Sequence, residues 1–153
     1  MMLRWTIKQD IVVIDSTFPQ AKPRGFRNSE ISEYLLHTRN IHAYAMHPMK
    51  PDSGAWFTHG YGMTKSEYKE NYRHYKRRYP KNAKKVHYLD SGKNYKFKLA
   101  YTFFLAETYT LLPFLESNKV PFIFCLYPGG AFGLSNRKSD DMLRKISASK
   151  YFT

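Results

Sequence analysis

The residues best placed to do chemistry fall in two loops. In the first, Phe18-Pro19-Gln20-Ala21-Lys22-Pro23-Arg24-Gly25-Phe26-Arg27, three cations surround a glycine just ahead of a helical pattern. Glycine lets a ligand approach bare main chain and a helix start presents unpaired amides, so this turn suits a phosphate group. Ordinary solvated loop charges have the same composition. In the second, Leu126-Tyr127-Pro128-Gly129-Gly130-Ala131-Phe132-Gly133, consecutive glycines free backbone amides for an anion. No Lys-Ser or Lys-Thr follows the glycines and the G-x-G-x-x-G spacing is absent, so the loop is neither a Walker loop nor a dinucleotide fingerprint. His47 and His59 lie in a long Pro- and Gly-rich stretch. Lacking a Cys or carboxylate at ligand spacing, they are not expected to form a metal site.

These loops need strands to carry them. Ile11-Val12-Val13-Ile14-Asp15 is short and apolar throughout, as befits a parallel strand covered on both faces. After the first loop, Asn28 or Ser29 is expected to cap a helix with Ile31, Tyr34 and Leu35 on one face. Residues 41–46 read as a second strand and 47–63 as a long loop with a short strand. Thr64-Lys65-Ser66-Glu67 is a capping box, and Tyr68, Tyr72, Tyr75 and Tyr79 then recur at helical spacing as a stripe that packs against a sheet. Pro80 ends that helix. Residues 86–89 form a third strand, 97–117 a buried helix bent or broken near Pro113, and 121–126 a fourth strand. Ser139-Asp140-Asp141 forms the capped, acidic first turn of a last helix.

Strands alternating with helices predict an α/β fold: a Rossmann-like open parallel sheet of about four or more strands with helices on both faces, forming one domain over residues 1–153. In such sheets ligands bind beyond the carboxyl ends of the strands, which is where both loops fall.

With 153 residues, 42% of them hydrophobic, the chain can bury a core without metals or disulfides. Its single cysteine, Cys125, lies in the apolar run of the fourth strand and reads as a buried thiol in a reducing compartment. No stretch has the ~20 apolar residues a membrane span needs, so a cytoplasmic protein is expected. The formal charge of +13 attracts an anionic partner: nucleic acid, an anionic membrane surface or a phosphorylated substrate. Twelve Lys and Arg against three acids between residues 64 and 98 carry most of it.

The string Pro121 to Phe132, followed by Ser139-Asp140 and Leu143-Arg144, resembles a segment in the N-terminal domains of bacterial GT-B-type glycosyltransferases. Phe18-Pro19, Gly25-Phe26-Arg27, Glu30 and Tyr34-Leu35 are similar to the loop and first helix that open those domains. The resemblance implies an acceptor-binding half of a sugar-transfer enzyme. A nucleotide sugar would be the donor substrate, no cofactor would be obligatory, and a donor-binding domain or subunit would complete the site. The chain is accordingly expected to be a fragment of a longer enzyme, inactive without that partner. A glycan or lipid-linked acceptor would bind at Gly25, Phe26, Arg27, Glu30, Tyr127, Gly129, Gly130 and Phe132.

Glycosyl transfer needs stabilisation of a departing diphosphate and, with inversion, a base for the acceptor hydroxyl. Amides of Gly129 and Gly130, or of Gly25 and Phe26, suit the first role. Asp15, His59 and His47 are the candidates for the second, although a carboxylate at a strand end is more often a turn or cap residue and Glu30 more often complements a helix dipole. The basic middle is expected to dock on an anionic inner leaflet. The alternative is a basic α/β module that binds nucleic acid and catalyses nothing, which no RNP, KH or helix-turn-helix signature supports.

Overall fold

The computed structural model describes residues 6–51, 60–127 and 132–153. Five strands, β1 (Thr6–Asp15), β2 (Ile41–Ala45), β3 (Val86–Tyr88), β4 (Asn94–Phe103) and β5 (Phe122–Cys125), form one sheet in the order β3-β2-β1-β4-β5. All four pairings are parallel. This is the Rossmann-like open sheet, with the first strand in the middle.

The helices follow from the handedness of parallel crossovers. Moving from β1 to β2 to β3 travels one way along the sheet and moving from β4 to β5 travels the other, so right-handed connections place their helices on opposite faces. The first face carries α1 (Gly25–Ser29), a π-helical turn (Glu30–Tyr34), a 3-10 turn (Leu35–His37) and α2 (Lys65–Arg78). There Ile31, Leu36 and Tyr75 pack on Val13, Ala43 and Val86. The second face carries α3 (Leu105–Ser117) and α4 (Arg137–Ser147), whose Leu111, Leu115, Met142 and Ile146 pack with Val12, Ile14 and Phe122. The same rule leaves the first face of β4 and β5 without a helix among the described residues, and Leu99, Tyr101 and Ile123 there are partly exposed.

β1 and β4 are longer than their neighbours, with Thr6–Gln9 pairing only to 94–97. From Leu89 the chain reaches Asn94 in five steps, at most about 18 Å. A straight ten-residue strand would place its ends about 30 Å apart. The lower half of the β1–β4 ribbon must therefore bend back toward the end of β3. The ladder lapses at Asp10 and Lys98, and the Tyr95 hydroxyl accepts the Asp90 amide at 2.7 Å.

Several expectations change on contact with the structure. The apolar run at 97–117 is not one helix: it is the end of β4 followed by α3. The alternation Tyr95-Lys96-Phe97-Lys98, buried then exposed, is the strand signal beneath that run. Pro113 sits inside α3, which continues to Ser117. Asn28 and Ser29 cap nothing; they lie within α1, whose first residue is Gly25 and which has no side-chain cap. Asn136, not Ser139, caps α4, accepting from the amides of Lys138 and Ser139. Cys125 is half-buried rather than buried, since no helix among the described residues covers its face of β5, and β5 lies at the outer end of the strand order. The capping box at Thr64, the inward tyrosine stripe and the helix end at Tyr79 are all present.

Candidate functional site

β1 and β4 are neighbours whose following connections leave for opposite faces, so a crevice opens beyond their carboxyl ends. Asp15 closes β1 there and is 1% exposed. Its Oδ1 accepts from the Thr17 amide at 2.8 Å, the Thr17 hydroxyl at 3.0 Å and the Phe18 amide at 2.8 Å. Its Oδ2 accepts from Arg27 Nη1 at 2.9 Å. The same nitrogen donates to Oε1 of Glu107, in the first turn of α3, at 2.8 Å. One guanidinium group thus ties the end of β1 to the start of α3.

One cation cannot neutralise two buried carboxylates. Glu107 is 5% exposed, and burial, reinforced by the nearby Asp15 charge, pushes its carboxyl up to about 7 against the opposing pull of Arg27. Burial disfavours the Arg27 charge, but the two carboxylates outweigh it and hold the guanidinium above its ordinary value. The buried Ser16 hydroxyl lies beside Glu107 without reaching hydrogen-bond geometry. The Tyr61 phenol, raised by burial and then by the Glu107 charge, borders the same group.

The turn from β4 into α3 is a single residue, Phe104, at φ 57° and ψ 148°. A bulky side chain rarely adopts that backbone, at a cost on the order of 1–3 kcal/mol. Neighbours hold it there: the Phe104 amide donates to Cys125 at 3.1 Å, and the Arg27 guanidinium lies 4.6 Å above its ring. Phe26, 50% exposed, stands 6.5 Å from the Phe104 ring and 4.6 Å from that of Tyr127. Tyr127 and Tyr101 both donate to Glu30, at 3.1 and 3.4 Å. The Gly25 turn and the base of the glycine-rich loop therefore meet at one edge, joined by an aromatic shelf.

Of the site residues expected from the sequence, Asp15, Gly25, Phe26, Arg27, Glu30 and Tyr127 come together. Gly25 has φ +73° with open space where a Cβ would lie. Arg27 is not a free cation for phosphate, because both carboxylates occupy it; Lys22 and Arg24 remain exposed. Asp15 has both oxygens engaged, which suits a positioning carboxylate better than a base. His47 hydrogen-bonds the Leu89 carbonyl at 2.9 Å and lines a different cleft with Asn94 and Asn118, and burial lowers its pKa. It does not belong to the crevice. Phe132 packs into the core on the α3–α4 face, away from Phe26. His59, Gly129 and Gly130 lie outside the described residues. Glu107 and Phe104 were missed, because the run around them read as the middle of a helix. The reversal from alternation at 94–98 to a helical pattern after Leu105 is the signal that would have placed Glu107 at a helix start.

Fold and crevice together define a Rossmann-like open α/β domain whose buried charges and strained backbone gather at the topological switch point. No family model, curated protein or solved structure matches the chain. No helix among the described residues is long and apolar enough to cross a membrane.

Proposed function

We propose that the chain is the acceptor-binding half of a GT-B-type glycosyltransferase, which transfers a sugar from a nucleotide sugar and works with a donor-binding domain or subunit. The observation that carries this is the Phe26–Tyr127 shelf beside the Asp15–Arg27–Glu107 trio. An aromatic face takes the apolar side of a sugar ring, and fixed carboxylates take its hydroxyls. Glu107, titrating near neutrality, takes the proton from the attacking acceptor hydroxyl. Asp15 holds Arg27, and Arg27 holds Glu107. Lys22, Arg24 and the amides of the Gly25 turn stabilise the departing diphosphate. No cofactor is needed beyond the donor substrate.

The exposed cations of α2 dock the protein on an anionic membrane leaflet on the cytoplasmic side, where a lipid-linked acceptor would be presented. The test pairs the protein with its donor-binding partner and supplies labelled nucleotide sugars with glycan or lipid-linked acceptors. Transfer that Glu107→Gln slows in kcat, with a melting temperature near neutral pH no lower than that of the native protein, supports the assignment. Absence of transfer together with oligonucleotide binding that weakens steeply with salt replaces it with a non-catalytic nucleic-acid module.

A further inference from the structure

A second cleft, of about 500 Å³, lies at the β3 edge of the sheet, away from the Asp15–Arg27–Glu107 crevice. Its wall is made of tyrosines whose hydroxyls are already committed. Tyr68 donates to the Val86 carbonyl, Tyr72 to that of Ala83 and Tyr88 to that of Met63, each at 3.1 Å. With the hydroxyls tied to main chain the rings cannot turn away, so binding against them costs little side-chain entropy. Successive rings are inclined to one another, Tyr68 to Tyr72 by 30° and Tyr68 to Tyr88 by 41°. Tyr68 and Tyr72 form a stacked pair and Tyr88 is tilted against it, so the three rings share no single plane. A planar base needs an extended flat face to stack on, whereas the C–H face of a sugar ring needs only one aromatic ring.

The polar groups of the cleft match the same ligand. His87 lies against Tyr44, with ring centroids 5.0 Å apart, and its Nε2 is hydrogen-bonded to His42 Nδ1 at 2.8 Å. Burial, and then the neighbouring His42, keep the His87 imidazole neutral down to a pKa of about 4, so it meets a ligand as a hydrogen-bonding partner for hydroxyls. Gln9 adds an amide to the lining. Lys65, Lys93 and Asp90 also line the cleft, with Lys65 3.4 Å from Asp90, so an anionic ligand shares two exposed cations with one carboxylate. From Lys65, exposed cations continue along the flank of α2 at Lys69, Arg73 and Lys76, at spacings of four, four and three.

We propose that this cleft binds a sugar carrying an anionic group, phosphate or carboxylate, with the sugar ring on the tyrosine wall and the anion on Lys65 and Lys93. The site does not depend on the transferase assignment: it is a separate glycan-binding site on the same domain.

The experiment follows the assigned His87 ring resonances by NMR, at neutral pH and low salt. Glucose 1-phosphate, glucuronate, glucose, inorganic phosphate and AMP are added in separate titrations. The expected result is a shift at His87 with glucose 1-phosphate or glucuronate, at least five-fold tighter than with glucose or phosphate alone. Lys93→Ser should weaken it several-fold with the fold intact, and Tyr88→Ala should abolish it. Equal response to inorganic phosphate, tighter binding of AMP than of either anionic sugar, or no movement at His87 overturns the proposal. Shifts confined to Phe26 and Tyr127 would also overturn it while leaving the transferase assignment standing.

Discussion

Nη1 of Arg27 lies 2.8 Å from Oε1 of Glu107, joining two residues 80 positions apart in the sequence. Because the same nitrogen also reaches Asp15 at 2.9 Å, Arg27 links the end of β1 to the first turn of α3. Removing it leaves two buried carboxylates facing each other. Arg27→Met should lower unfolding stability by about 3 kcal/mol, measured in urea at pH 7. Adding Glu107→Gln should recover at least about 1 kcal/mol in a double-mutant cycle. Simple additivity would mean the two groups are not coupled.

The raised carboxyl of Glu107 has a definite pH signature. Its folded value of about 7 lies above its ordinary 4.5, so its contribution is fully present below pH 4.5 and is lost as pH rises through 7. The difference corresponds to about 3 kcal/mol. Stability profiles of the native protein and Glu107→Gln should diverge across that window, the variant losing the slope. Parallel profiles would place the proton elsewhere.

Two glycines with positive φ should respond differently to alanine. At Gly62, φ is +103° and a Cβ would overlap the His47 carbonyl oxygen, a backbone atom that cannot give way. Gly62→Ala should cost about 3 kcal/mol or more. At Gly25, φ is +73° but the space is open, so Gly25→Ala should cost only about 1–2 kcal/mol of backbone strain. Thermal melts of the pair check the contrast.

The start of α2 rests on a reciprocal cap: the Thr64 hydroxyl accepts the Glu67 amide at 3.2 Å, and the Glu67 carboxylate accepts the Thr64 amide at 2.6 Å. Thr64→Ala should destabilise the protein by about 1 kcal/mol, while Thr64→Ser should be nearly neutral. Equal losses for both would deny the hydroxyl its role.

The outward cations of α2 should matter for surface binding and little for folding. Reversing Lys69, Arg73 and Lys76 to Glu removes about 1 kcal/mol per site or more of attraction to an anionic leaflet. Co-sedimentation with phosphatidylserine vesicles should fall at least a hundred-fold in affinity, with a melting temperature close to that of the native protein. Undiminished binding would move the docking face elsewhere.

Local chemistry made much of this domain legible in the amino-acid order alone. The β-branched run ending at Asp15, the Thr64–Glu67 cap and the four-three-four tyrosine spacing each depend on neighbours in sequence; the cap and the spacing stand in the structure as read, and the run is the buried upper half of a strand that begins at Thr6. So does the parallel α/β class, because alternating strands and helices admit few arrangements. Other features depend on residues that only the fold brings together. The carboxyl of Glu107 is perturbed because β1 and β4 pair side by side, placing it next to Asp15 and Arg27, and nothing within ten residues of it announces that. The same holds for the exposed face of Cys125, set by crossover handedness, and for the cleft at His87, closed by the bend in β1 and β4. Secondary structure obeys short-range sterics and hydrogen bonding; the charges of the crevice obey burial and distance, which are properties of the packed chain.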